Sequence, residues 1–148
     1  MFTDFLKAGG GQHIDAMTFH QYYMDCTTSR LEQFLDPRMM DKMERDIKVE
    51  QQFNLSLWLG ETGSCWADLN NTLSVTFASG FLWLDVLGLG AKLVDVVIRQ
   101  ELRSAVNGLL DISTYQPKPD YWVSFLHKKL VGQKVLNVTI TPNNNTFL

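Results

Sequence analysis

Cysteine, proline and charge are all scarce in this sequence. Two cysteines among 148 residues cannot build the disulfide framework of a small secreted scaffold. The two, Cys26 and Cys65, follow neighbouring apolar runs. A bridge is open to them if their Cα atoms come within about 7 Å, while two unpaired thiols are the simpler expectation. No Cys/His set has zinc spacing, so neither a metal nor another cofactor is expected. Charged residues make up 20%, and 13 basic against 16 acidic side chains leave a net charge of −3. The longest basic run is the pair Lys128-Lys129, which excludes the electrostatic footprint of a nucleic-acid binder. Every long apolar stretch is broken by Gly, Asp, Lys or Arg, so no membrane-spanning helix is expected. Residues 1–11 lack a basic segment followed by an apolar one and do not read as a signal peptide. With 10 glycines, a collagen-like repeat is excluded. What is present is 45% hydrophobic and 11% aromatic residues, a globular composition that excludes disorder.

The apolar residues fall into alternating strand and helix patterns. Residues 1–8 read as the tail of a helix stopped by Gly9-Gly10-Gly11. Residues 14–20 read as a strand that ends in a polar, aromatic loop, His20-Gln21-Tyr22-Tyr23. Asp36 is placed as an N-cap with Pro37 at the first helical position, and Met40, Met43 and Ile47 recur at helical spacing. Leu55-Ser56-Leu57-Trp58-Leu59-Gly60 reads as a buried strand, with Glu61-Thr62-Gly63-Ser64 as its polar tip. A helix is expected to start near Asn71-Thr72, to face inward through Leu73, Phe77, Leu84 and Leu87, and to end at Gly88 and Gly90. The β-branched run 94–100 reads as a third strand. After Pro117 and Pro119, Asp120 is expected to cap a helix whose apolar residues are Trp122, Phe125, Leu126 and Leu130, with Gly132 as its stop. Residues 134–141 alternate Leu136, Val138 and Ile140 with Asn137, Thr139 and Thr141. That period of two marks a half-exposed strand of a different, antiparallel unit.

Repeated strand–helix order implies a parallel sheet with helices outside. Three parallel strands alone leave two bare edges and little core. A (β/α)8 barrel takes about 250 residues. The expected fold is therefore α/β: the last three βα units (strands 6–8) of such a barrel over 1–133, then the first strand of a β-sandwich domain over 134–148. In such barrels polar residues at the C-terminal strand ends carry the chemistry. The tips here offer His20 and Tyr22, then Glu61, then Arg99 and Gln100. A carboxylate beside a tyrosine and a histidine suits glycoside hydrolysis, where it attacks the anomeric carbon or stabilises an oxocarbenium-like state.

Trp58-Leu59-Gly60-Glu61-Thr62 resembles the nucleophile segment of glycoside hydrolase family 79, the heparanase-like endo-β-glucuronidases. The similarity runs in order from Phe5-Leu6-Lys7-Ala8-Gly9-Gly10 to about Val138. It passes through Thr18-Phe19-His20-Gln21-Tyr22-Tyr23, Phe77-Ala78-Ser79-Gly80-Phe81, Val96-Val97-Ile98-Arg99-Gln100 and Pro119-Asp120-Tyr121-Trp122. The resemblance implies that Glu61 is the nucleophile on strand seven. It implies that Tyr22 orients that carboxylate, that His20 lines the subsite beside it, and that Gln100 contacts the sugar from strand eight. The implied reaction is retaining hydrolysis of β-glucuronosyl links in heparan sulfate or a related glycosaminoglycan. A secreted or lysosomal location and association with matrix or membrane surfaces through glycans are implied with it.

The sequence also departs from the family. The acid/base there follows an Asn on strand four, and this chain has no Asn-Glu pair. The proton donor is thus expected in an N-terminal barrel half outside these residues, leaving this chain inactive alone. A glycine run becomes Ala67-Asp68-Leu69, a Gly-Asn-Tyr becomes Val106-Asn107-Gly108, and a basic position becomes Thr27. These changes leave a second expectation open, a non-catalytic glycan-binding regulator. Four sequons, at Asn54, Asn70, Asn137 and Asn144, are candidate glycosylation sites.

Overall fold

The computed structural model describes residues 2–50, 53, 55–66, 73–136 and 138. Three strands form one parallel sheet in the order β1 (Ala16–Asp25), β2 (Ser56–Trp66), β3 (Val96–Arg99). The helices are α1 (Phe2–Lys7), α2 (Leu31–Phe34), α3 (Pro37–Glu50), α4 (Phe77–Leu93) and α5 (Pro119–Leu130). The chain is thus mixed α/β, as the alternating pattern predicts. Gly9, at φ +95°, takes the left-handed turn that leaves α1.

One face of the sheet is covered. Met17, Leu57 and Leu59 meet Met43 and Ile47 of α3 and Leu82, Trp83, Val86 and Leu89 of α4 in a single buried cluster. Helix α3 forms where its start signal and spacing place it, with the Arg38 amide donating to Asp36 Oδ1 at 2.9 Å. Among the described residues nothing covers the opposite sheet face: Trp58 and Ile98 on it are 39% and 44% exposed. Among the described residues β1 and β3 each have one strand neighbour.

Several expectations need correction. β1 runs on through His20, Tyr22 and Tyr23, so these residues are strand and not loop. β2 runs on to Trp66, so Glu61 lies inside the strand rather than at its tip. Residues 62–65 look polar or small, yet Thr62, Ser64 and Cys65 are buried. Helix α4 buries Ser79, Gly80, Leu82, Trp83, Val86, Leu89 and Gly90, while Phe77 and Leu84 are 75% and 52% exposed. Its sequence is apolar on all sides, so periodicity could not select the inner face. The expected start at Asn71-Thr72 lies outside the described residues. Helix α5 has Lys118 at its cap position, and Asp120, its second residue, is buried within the first turn. Its expected apolar face is turned outward: Trp122, Phe125, Leu126 and Leu130 are 38–77% exposed. The helix ends at Leu130 with Val131 as its C-cap, immediately before Gly132. Of the expected last strand, 134–136 and 138 carry no strand, and Asn137 and 139–141 lie outside the described residues.

The two cysteines are joined, against the simpler expectation. Parallel pairing sets Met24 opposite Cys65 and Asp25 opposite Trp66, and the Cys26 amide donates to the Trp66 carbonyl at 2.9 Å. That register brings the Cys26 and Cys65 Cα atoms to 5.0 Å, within bonding range. Closing a loop of sequence separation 39 removes unfolded-state entropy, worth about 4 kcal/mol in the chain-entropy estimate.

Gly88 and Gly90 both lie inside α4 instead of ending it. A Cβ on Gly90 would stand 2.4 Å from Val97 Cγ2, whereas one on Gly88 meets nothing within 4 Å. Gly88→Ala should therefore stabilise by up to ~1 kcal/mol through helix propensity. Gly90→Ala should destabilise by about 1–3 kcal/mol, because helix and strand must part. Circular-dichroism melts check both signs; a rise in Tm for Gly90→Ala would contradict this packing.

Candidate active site

The site is built by one irregularity in β2. Phe19 pairs with Leu59, but the next residue of β1, His20, pairs with Glu61, so Gly60 is an extra residue. The step recurs against β3, where Leu59 pairs with Val97 and Thr62 with Arg99. Side chains alternate along a strand, and a bulge inverts that alternation. Leu57 and Leu59 are buried among the helices. After the bulge Glu61 points to the bare face instead. A Cβ on Gly60 would stand 2.0 Å from Thr18 Oγ1, so no other residue fits there without displacing Thr18.

On that face the expected residues converge. The Tyr22 hydroxyl donates to Glu61 Oε1 at 2.6 Å and also touches the Gln100 side-chain amide. A phenol has one proton to give. With that proton directed at Glu61 Oε1, none is left for the nearby Gln100 Oε1 to accept. His20 Nδ1 stands 3.6 Å from Glu61 Oε2, with side-chain exposures of 58% and 33%. At that range and exposure the pair is a weak electrostatic contact. Burial first, then the Glu61 hydrogen bond and charge, push the Tyr22 pKa well above the ordinary tyrosine range. Tyr22 therefore keeps its proton and is a hydrogen-bond donor to Glu61 throughout neutral pH.

Arg99 is not on this face. Adjacent residues of a strand point oppositely, and Arg99 turns to the helices while Gln100 turns to Glu61. Its guanidinium pairs with Asp120 at 2.8 Å and lies 4.6 Å from the Trp83 ring centroid. It also donates to the Asn107 carbonyl at 3.0 and 2.9 Å from Nε and Nη2. Burial lowers the Arg99 pKa and raises that of Asp120, and in each the partner opposes the shift. Ser79 Oγ donates to Asp120 Oδ2 at 3.0 Å. Asp120 is thus an ion-pair partner and not a cap. Asn107 is the residue that sequence reasoning passed over, noted only as part of a changed tripeptide. Tyr23, next to Tyr22, faces the helices and donates to Asp85 Oδ2 at 2.6 Å.

The four sequon asparagines, Asn54, Asn70, Asn137 and Asn144, lie outside the described residues, as does Ala67-Asp68-Leu69. Among the described residues no three His, Cys, Asp or Glu side chains group as a metal site. No described helix is long and apolar enough to cross a membrane.

The family model described as "Glycosyl hydrolase family 79, N-terminal domain" matches residues 1–88. Heparanase of Bos taurus is 41% identical over 155 aligned residues, covering 99% of this chain and 28% of that protein. Hyaluronoglucuronidase of Hirudo nipponia is 40% identical, covering 95% of this chain and 30% of that protein. Inactive heparanase-2 of Homo sapiens is 36% identical, covering 95% of this chain and 25% of that protein. The chain therefore spans between a quarter and a third of the length of these curated relatives.

The alkaline titration tests the geometry directly. Burial and a carboxylate partner also push Tyr23 upward. Both phenols should stay protonated past pH of about 10, where unfolded tyrosine ionises. The stability this confers is whole below that pH and is lost as pH rises through the folded-state values. Tyr22→Phe and Tyr23→Phe should each remove one late step from the tyrosinate absorbance curve. Glu61→Gln should move only the Tyr22 step to lower pH, and an unmoved step would show that the two groups are not coupled.

Proposed function

The chain belongs to glycosyl hydrolase family 79, and on that premise we propose that it carries the nucleophile side of a retaining glycosidase site. The observation that carries this reading is the hydrogen bond from Tyr22 to Glu61 Oε1 at 2.6 Å, with Gln100 on the same phenol. Glu61 is the nucleophile. Its Oε2, on the His20 side, attacks the anomeric carbon as the bond to the leaving oxygen breaks, giving a covalent glycosyl-enzyme. An acid from outside this chain protonates that oxygen, and water then releases the sugar. Tyr22 fixes the carboxylate rotamer and draws charge from the oxygen that does not attack. His20 lines the adjoining subsite, and Gln100 contacts the sugar.

The bare face that holds Glu61 supports a larger parent fold. Parallel sheets are buried on both faces, and here Trp58, Ile98 and both strand edges have no cover among the described residues. Residues 1–133 form the last three βα units of a (β/α)8 barrel, and 134–148 begin a β-domain. The N-terminal barrel half supplies the acid/base. The substrate is a uronate-containing glycosaminoglycan, heparan sulfate or a relative, with β-glucuronosyl links cleaved. The location is secreted or lysosomal, in keeping with a disulfide, which persists in oxidising compartments.

A second reading is a non-catalytic glycan-binding regulator. The likeness to a relative named inactive and the Val106-Asn107-Gly108 change favour it. A probe that labels nucleophilic carboxylates separates the two in the full-length protein: labelling of Glu61 supports the enzyme, and glycan binding without labelling supports the regulator.

In the full-length protein Glu61→Gln should abolish turnover of a fluorogenic β-glucuronide while binding persists. Unchanged turnover removes Glu61 from its role. These 148 residues alone should show no turnover, and measurable hydrolysis by them would overturn the assignment of the acid to residues outside this chain.

A further inference from the structure

Gly63 sits opposite Tyr22 in the register of β1 and β2. A Cβ placed on it would lie 3.2 Å from Tyr22 Cε1 and 3.0 Å from Asn107 Cγ and Oδ1. The Tyr22 ring and the Asn107 carboxamide therefore crowd one point above a residue with no side chain. Asn107 is 6% exposed, and its Nδ2 donates to the Cys65 carbonyl at 2.7 Å. Its own carbonyl receives Arg99, which Asp120 holds from behind. Ser74 Oγ donates to the neighbouring Val106 carbonyl at 3.1 Å. On the far side, a Cβ at Gly108 would lie 2.2 Å from the Ser104 amide nitrogen, so the loop is folded tightly on itself there. Asn107 thus has its backbone fixed on two sides and a side chain that spans from the β3–α5 loop to β2.

We propose that Asn107 is a positioning residue for the Tyr22–Glu61 pair, clamping β2 through the Cys65 carbonyl and walling the Tyr22 ring across Gly63. The inference rests on the glycosidase reading of Glu61 and Tyr22. Two features distinguish this role from generic packing. The clamp grips β2 four residues beyond Glu61, on the segment whose path after the Gly60 bulge decides where Glu61 points. The wall lies beside the ring whose hydroxyl holds that carboxylate, and a rigid ring is what lets a single hydrogen bond fix a rotamer. Loss of the carboxamide frees both at once.

The test uses the full-length protein with Asn107→Ala and, as a milder loss of the same clamp, Asn107→Ser, whose shorter side chain leaves the Cys65 carbonyl. Turnover of a fluorogenic β-glucuronide and the titration of ring-labelled Tyr22 by NMR are both read. Each variant should lower kcat by about 10- to 100-fold, as displacement of a reacting group does, with KM changed less than about twofold. In each the Tyr22 resonance should titrate at lower pH than in the parent, while Tyr23 is unmoved. If Asn107→Ala fails to fold, Asn107→Ser decides alone. An unshifted Tyr22 titration overturns the proposal, whether kcat is unchanged or falls together with Tm. If the parent protein and Glu61→Gln are equally inactive, the glycosidase reading fails on its own, and the Tyr22 titration still judges Asn107.

Discussion

Everything at the site depends on one residue too many in β2. Without the bulge at Gly60, alternation would send Glu61 the same way as Leu57 and Leu59, into the apolar layer beneath α3 and α4. A carboxylate there would lack both water and a partner. The bulge inverts the sense of the strand at the point where it passes Thr18, and Thr18 Oγ1 fills the space that any side chain at residue 60 would claim. The same inversion turns Thr62 inward and leaves its carbonyl to receive the Gln100 amide at 2.9 Å. One backbone irregularity therefore places Glu61 on the open face and aligns β3 so that Gln100 arrives beside it.

A second constraint acts from behind the sheet. The Arg99 and Asp120 side chains are 7% and 3% exposed, so both charges have left water at a cost of several kcal/mol each. Compensation comes from the pair itself, from the Trp83 ring, the Asn107 carbonyl and the Ser79 hydroxyl. The pair also fixes the rotation of α5. Asp120 must face inward, Ser124 meets Trp83 Nε1 at 2.8 Å, and Trp122, Phe125, Leu126 and Leu130 are left outside. The outward apolar side of α5 is thus a consequence of the inward charge. Removing one member would strand the other, which is why a buried pair resists single substitution more than it adds stability.

Much of this was legible in the sequence where a local signal has one physical meaning. Asp36-Pro37 followed by Met43 and Ile47 has one reading, and α3 follows it. The β-branched run at 94–100 contains β3 for the same reason. The partners of Glu61 were legible through family resemblance, which supplied neighbours that spacing alone does not. What could not be read depended on contacts between distant segments. Asp120 carries the mark of a helix cap, and only the arrival of Arg99 makes it an ion-pair partner. Cys26 and Cys65 could be paired only once the strand register was known. Helix α4 is apolar all round, so nothing in its own sequence chose Val86 over Leu84 for the core. Arg99 and Gln100 both looked like tip residues, although strand geometry lets only one of two neighbours reach the site.

The disulfide has a topological meaning beyond its strength. Cys26 and Cys65 enclose α2, α3 and most of β2, Glu61 among them, in a covalent ring, while Tyr22 lies just outside it. A protease that cuts the backbone anywhere between the two cysteines opens the ring but severs nothing. The segment bearing Glu61 stays tethered to the strand bearing Tyr22 by a sulfur bond four residues from each. Nicking in the α2–α3 region therefore yields a two-chain protein of undiminished mass, whose pieces separate only on reduction.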